Sequence, residues 1–182
     1  MAKSIQLTQG MEAIVDDDVY EKLSKVKWFY NGSYASRQRY RHGSQRVLFM
    51  HNEILKTPEG KCCDHINRNK LDNRLENLRP VDKKQNSSNR AGISGTRSIY
   101  KGVSWHKKAN KWIAKIKKNG INKHIGVFNN EQEAALVYNS MASILHGKYA
   151  FINEVNPQGK CPLDESLRKA IWYAEKLLED YE

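Results

Sequence analysis

KWIAKIKKNGINKHIGVF, residues 111–128, alternates with a period of two. Trp112, Ala114 and Ile116 interleave with Ile113, Lys115 and Lys117, so a strand here has one apolar face and one largely basic face. Asn-Gly at 119–120 is the dipeptide that closes a two-residue hairpin, and NKHIGVF brings the chain back as a second strand. Upstream, YKGVSWH (100–106) supplies a third strand. Downstream, Asn130 with Glu133 three residues later has capping-box spacing. The stretch 131–147 then sets Ala134, Val137, Tyr138, Met141, Ala142 and Leu145 in one stripe ahead of Gly147, which can end the helix. The expectation is a three-stranded antiparallel sheet with one helix across its apolar face and the basic face outward. Trp112 and Phe128 belong to the core between sheet and helix.

That basic face is part of a larger asymmetry. The chain has 182 residues and a formal charge of +11. Between Lys83 and Asn130 there are twelve Lys or Arg and no Asp or Glu, so this window carries +12 and the rest of the chain sums to −1. All the net charge in about a quarter of the length produces a local field suited to a polyanion. With 39% hydrophobic and 28% charged residues, the composition is that of a globular protein and argues against wholesale disorder. No apolar run approaches the roughly 18 residues of a membrane span, and MAKSIQLTQG lacks the apolar core of a signal peptide. A soluble, cytoplasmic protein with no membrane partner is expected. Cys62, Cys63 and Cys161 are odd in number, and an adjacent pair cannot chelate zinc as a spaced pair would, so reduced, buried cysteines are expected.

The segment before residue 51 opens with the apolar runs Ile5–Leu7 and Ala13–Val15. Asp16 to Asp18 can cap a short helix carrying Val19, Leu23 and Val26 inward. Trp28, Tyr30, Tyr34 and RVLFMH (46–51) read as strands, with turns at 31–32 and 42–43. Arg37, Arg39 and Arg41 recur every second residue and would share one face of a strand, open to phosphate or to water.

Between His51 and Asn89 the sequence is dominated by polar residues that make little sense as packing: DHINRNKLDNRLENLRPVDKKQNSSN, residues 64–89. Pro80 supports a loop. Asp82 followed by Gln85 predicts a helix beginning near Lys83, with Asn86 one turn in. Hydrolysis of a phosphodiester needs a base for water and a cation for the charge on the phosphate and leaving oxygen. Asp64 and His65 can divide those tasks, but strand neighbours point to opposite sides, so they share a site only at a strand end or bend. Mg²⁺ accepts Asp and Asn oxygens and keeps several waters, and Asn86 could add the second oxygen ligand.

Read together, D-H-I-N, L-D-N-R, N-L-R and Q-N resemble an HNH nuclease module of the ββα-metal type, in the subgroup of phage and intron-encoded endonucleases. The resemblance implies that Asp64 binds the metal and His65 is the general base. Asn77 matches the central asparagine that braces the loop and orients the histidine, and Asn86 matches the second metal ligand. His51 and Arg79 fall where such proteins often carry polar residues that contact the phosphate or support the site. The implied cofactor is Mg²⁺ or Mn²⁺, with no small-molecule cofactor beyond the metal.

Residues 100–147 resemble an Apetala-two/ethylene-response-factor DNA-binding domain, through Y-x-G-V, K-W-x-A-x-I, I-G-x-F and E-A-A-x-x-Y. In that family the sheet enters the major groove. Matching positions are Lys101, Ser104, His106, Lys115 and Lys117, then Asn122 and His124 on the third strand, with Tyr138 as a phosphate contact. Lysine is a point charge and not a bidentate fork, which favours backbone affinity over base discrimination.

The expected architecture is α+β: a β-rich segment over 1–50, an HNH module over 51–90, a linker over 91–98, a DNA-binding domain over 99–153 and an amphipathic C-terminal helix over 154–182. The expected function is a homing-type HNH endonuclease acting on double-stranded DNA, encoded by a phage in a bacterial host. One active site per chain makes a nick, and a homodimer is one way to a double-strand break. The rivals are a DNA-binding regulator with an inactive nuclease module and an RNA- or structure-directed nuclease.

Overall fold

A computed structural model of the chain describes residues 1–41, 43–89, 97–155 and 172. The fold is α+β, with two two-stranded and two three-stranded antiparallel sheets among the described residues. The chain divides into two compact units, Met1–Asn86 and Ser87–Glu182. The linker expected over 91–98 and the C-terminal helix expected over 154–182 lie almost wholly outside the described residues, as does Cys161.

In the first unit, β1 (Ala2–Gln6) pairs with β2 (Glu12–Asp16) in register from Ala2 opposite Asp16 to Gln6 opposite Glu12. The alternation that makes this hairpin also sends Ile5, Ala13 and Val15 into a core with Leu7, Leu23, Trp28, Ala35 and Met50. Helix α1 (Asp17–Ser24) contributes Leu23 to that core, and the Trp28 indole donates to the Leu23 carbonyl at 2.8 Å. Val26, expected to point inward, is exposed, because the helix has ended two residues before it. Asp16 does not cap α1 with its side chain; its Oδ2 instead accepts from the Leu75 amide at 2.7 Å.

Strands β3 (Phe29–Tyr30), β4 (Ala35–Arg41) and β5 (Ser44–Phe49) follow in sequential order. Met50 and His51, read from sequence as the end of a strand, begin helix α2 (Met50–Ile54) instead, and Met50 is completely buried there. A continuous apolar run does not by itself tell strand from buried helix. Arg37 is not held out toward solvent: it pairs with Glu53 of α2 and lies over the Trp28 ring.

Strand β6 (Cys62–His65) pairs with β7 (Leu78–Val81), and helix α3 (Lys83–Asn89) follows. Pro80 lies inside β7, not in a loop. A two-stranded ribbon leaves one edge of each strand without a ladder partner, so the missing N–H is tolerated. Residues 1–50 are not a body apart from this ribbon: Ile14 and Asp72 form a parallel bridge, with Ile14 N–H donating to Leu71 O at 2.8 Å and Asn73 N–H to Ile14 O at 2.7 Å.

In the second unit, β8 (Val103–His106), β9 (Lys111–Lys118) and β10 (Ile121–Phe128) form one antiparallel sheet in the order β10-β9-β8. Asn119 and Gly120 turn the chain between β9 and β10 with φ of 52° and 86°, the left-handed pair that an Asn-Gly hairpin turn requires. Helix α4 (Glu131–His146) packs on the sheet, burying Ala134, Ala135, Val137, Tyr138, Met141 and Ala142 against Val103, Ala114, Ile116, Ile125 and Phe128. The Asn130 side chain caps it by accepting from the Gln132 amide at 2.7 Å, and Gly147 ends it at φ 53°. Gly102 of the Y-x-G-V string has a specific reason: at φ +78° a Cβ there would lie 2.1 Å from the Tyr138 ring. Among the described residues, no helix is long and apolar enough to cross a membrane.

Candidate active site and nucleic-acid interface

The β6–β7 ribbon and the start of α3 bring together the residues singled out between Cys62 and Asn86. Asp64 lies opposite Arg79, and His65 opposite Leu78. His65 is the last residue of β6, the strand end that an adjacent Asp-His pair needs to serve one site. Both are buried, at 7% and 5% exposure. The Arg79 guanidinium donates twice to Asp64 Oδ2, from Nε at 2.9 Å and from a terminal nitrogen at 2.8 Å.

Asn86 reaches the same side of the ribbon. Its Nδ2 donates to Cys62 Sγ at 3.6 Å, and Cys62 and Asp64, two apart on one strand, share a face about 7 Å from one another. Its position is set by a reciprocal cap: the Asp82 amide donates to Gln85 Oε1 and the Gln85 amide to Asp82 Oδ1. With Nδ2 turned to sulfur, the Asn86 amide presents its oxygen elsewhere. The oxygens of Asp64 and Asn86 are hard donors of the kind a small divalent cation takes. Among the described residues no three His, Cys, Asp or Glu side chains converge as a metal cage, so such a cation would complete its shell with water and substrate oxygens.

Asn77 braces the loop between the strands. Its Oδ1 accepts from the Asn67 amide at 2.9 Å, its Nδ2 donates to Asp72 O at 2.7 Å, and its carbonyl accepts from Ile66 N–H. Asp72 is clasped by Arg74 through both carboxylate oxygens, and that guanidinium holds its carboxyl below the usual range. The hydrogen-bond partner of His65 Nε2 is a different residue, the fully buried Asn73, whose Oδ1 lies 3.3 Å away. Sequence reasoning missed Asn73; its only trace was one letter of L-D-N-R.

His51 stands behind His65, with ring centroids 5.1 Å apart and near-perpendicular planes. Phe49 stacks on it at 5.5 Å and Tyr34 sits against both histidines. Its Nδ1 is buried without a hydrogen-bond partner among the described residues. Burial, and secondarily the neighbouring His65, push its pKa down to about 4. Burial lowers His65 as well, which keeps its imidazole neutral and able to accept a proton. A cavity of about 510 Å³ opens beside these groups, lined by His51, Lys61, Cys62 and Asn86 among others. Cys62 and Cys63 are free but half-buried, not wholly buried as expected, because they border this opening. Burial pushes the Cys63 thiol up to about 12, so it stays protonated.

In the second unit, register sorts the remaining candidates. Ser104 faces Ile113, His124 faces Lys115 and Asn122 faces Lys117, while His106 faces Lys111. These six candidates therefore share the sheet face opposite Ala114 and Ile116, and all are exposed. Lys111 joins them, unremarked in the sequence reading. Lys101 does not: it precedes β8, and its Nζ donates to Ser88 O at 2.7 Å. Tyr138 is a correction, since it is 3% exposed in the core between α4 and the sheet, where packing and not phosphate holds the ring.

Residues 56–88, which include Asp64, His65, Asn77 and Asn86, match the family model for HNH endonuclease. An uncharacterised HNH endonuclease of Acanthamoeba polyphaga mimivirus is 34% identical over 151 residues, spanning 81% of this chain and 78% of that protein. Protein 3.8 of Escherichia phage T7 is 31% identical over 93 residues, 51% of this chain and 76% of that one. The chain belongs to the HNH endonuclease family and is a nuclease.

Proposed function

We propose that this protein is a homing-type endonuclease that nicks double-stranded DNA, with His65 as general base and the outward sheet of the second unit as its DNA-binding surface. The observation that carries the reading is Asp64 and His65 at the end of β6, with Asn86 approaching the Asp64 side of the same strand. His65, held neutral by burial, takes the proton of the attacking water. Asp64 and Asn86 would hold a Mg²⁺ or Mn²⁺ ion, which when bound supplies positive charge to the phosphate and leaving oxygen. Arg79 fixes the Asp64 carboxylate by donating twice to its Oδ2. His51 packs edge-on against His65 and supports the ring.

Ser104, His106, Lys115, Lys117, Asn122 and His124 share one exposed sheet face, which would enter the major groove as the Apetala-two/ethylene-response-factor sheet does. Its lysines contact the backbone, and Ser104, Asn122 and the two histidines are the groups able to reach base edges. Each chain makes one cut, and a double-strand break would need a homodimer, sequential nicking or a second binding event.

The test is nicking of supercoiled plasmid bearing the gene's own flanking DNA, with Mg²⁺ or Mn²⁺ against EDTA, for wild type and His65→Ala. Metal-dependent open circle from wild type alone is the expected result. If both proteins shift the plasmid at low salt and neither cuts, the protein is a DNA-binding regulator.

A further inference from the structure

The amide of Asn73 has only one workable orientation. Its Nδ2 lies 3.1 Å from the Leu71 carbonyl, which can only accept, so the atom facing His65 Nε2 at 3.3 Å is the oxygen. An oxygen there accepts, and Nε2 must donate. We propose that Asn73 is a positioning residue that locks His65 as the Nε2–H tautomer, so that Nδ1 carries the lone pair that takes the proton, and that the β1–β2 hairpin holds Asn73 in place. The assignment of His65 as base rests on the nuclease reading above; the tautomer does not.

The hairpin's part follows from three hydrogen bonds into residues 71–75. Ile14 N–H donates to Leu71 O, Asn73 N–H donates to Ile14 O, and Leu75 N–H donates to Asp16 Oδ2. The Leu71 carbonyl that orients the Asn73 amide is therefore itself fixed by β2. Asn73 is fully buried, so no water competes for its oxygen. A mobile loop asparagine could flip and offer Nδ2 to the ring, which would select the opposite tautomer. Here the Leu71 carbonyl, held by Ile14 N–H, opposes the flip, because it would set Oδ1 against another acceptor. This gives residues 1–16 a role at the site through the backbone of Ile14 and the carboxylate of Asp16.

Long-range proton–nitrogen NMR on the full chain with nitrogen-15 in the histidine rings reads the tautomer directly. Wild-type His65 is expected to show a protonated Nε2 and a bare Nδ1 at neutral pH. Asn73→Leu, close in volume but without the acceptor, should give a mixture of tautomers. Its kcat for plasmid nicking should fall about tenfold to a hundredfold with KM little changed. Asn73→Asp keeps the acceptor toward the ring but loses the donor to Leu71 O, so it should keep Nε2 protonated at some cost in stability. A wild-type ring protonated at Nδ1 overturns the inference, as does a folded Asn73→Leu that retains both the single tautomer and the kcat. If Asn73→Leu fails to fold, the spectra of wild type and Asn73→Asp decide. If wild type cuts no DNA, the nuclease reading fails while the spectrum still decides the tautomer.

Discussion

Asp82 and Gln85 cap one another: the Asp82 amide donates to Gln85 Oε1 at 2.9 Å and the Gln85 amide to Asp82 Oδ1 at 2.8 Å. This pair sets where α3 begins, and therefore where Asn86 stands relative to Cys62 and Asp64. Asp82→Ala should cost about 1 kcal/mol of stability, the usual value of a missing N-cap. It should also weaken Mn²⁺ binding, measured by titration calorimetry, more than Lys84→Ala on the exposed side of the same helix. Equal cation affinity in the two variants would remove Asn86 from the metal site.

His51 makes stability depend on pH. Folded, its pKa is lowered to about 4, against about 6.5 for an ordinary histidine. Between those values the unfolded chain takes up a proton that the folded chain refuses, so stability is complete above about pH 6.5 and is lost as the pH falls toward 4. The full loss from this one group is on the order of 3 kcal/mol. His65, also lowered by burial, acts in the same direction. Urea denaturation of wild type and His51→Phe from pH 7 to pH 4 isolates the His51 part. The variant's curve should be the flatter one, and parallel curves would mean that His51 is protonated freely in the folded protein.

Gly102 and Tyr138 form a tight pair in the second unit. Gly102→Ala combines a left-handed backbone with a Cβ that would lie 2.1 Å from the Tyr138 ring and 2.7 Å from Lys115 O. A destabilisation of about 2–4 kcal/mol is expected. Gly120→Ala carries the same backbone strain at φ +86° with open space around it, and should be destabilised by only about 1–2 kcal/mol. The two thermal unfolding curves separate clash from strain.

Lys115 and Lys117 lie on the outward face of β9 beside His124 and Asn122. Replacing both by Ala should weaken binding to duplexes of any sequence by a similar factor. The slope of log affinity against log salt should shrink by about 0.9 for each phosphate that is no longer neutralised. Fluorescence anisotropy at several salt concentrations measures this, and an unchanged slope would place the DNA elsewhere.

Local signals were the legible ones. The Asp82–Gln85 cap, the Asn119–Gly120 turn and the apolar stripe of α4 each depend on residues a few positions apart, and all three stand in the structure. Short-range reasoning also gave the condition that Asp64 and His65 share a site only at a strand end or bend, and β6 ends at His65. What pattern could not give was tertiary: Met50 is drawn into a helix by a core assembled from residues as far away as Ile5. Asn73 acquired its position from Ile14, 59 residues earlier, through backbone atoms whose pairing leaves no mark on side-chain identity. Tyr138 shows the opposite error, since a motif position says which residue is present but not which way its ring faces.

The β6–β7 ribbon has two faces and a period of two, so a slip of one residue would send Asp64 to the side now taken by His65 and leave Arg79 facing the wrong neighbour. The count of residues between the strands is held by Asn77 on Asn67 and by Asp72 on Arg74. A single inserted or deleted residue between 66 and 77 would break these bonds and with them the brace on the register, without altering Asp64, His65 or Asn86. For this enzyme, the length of an apparently plain loop is as much a determinant of chemistry as any side chain within it.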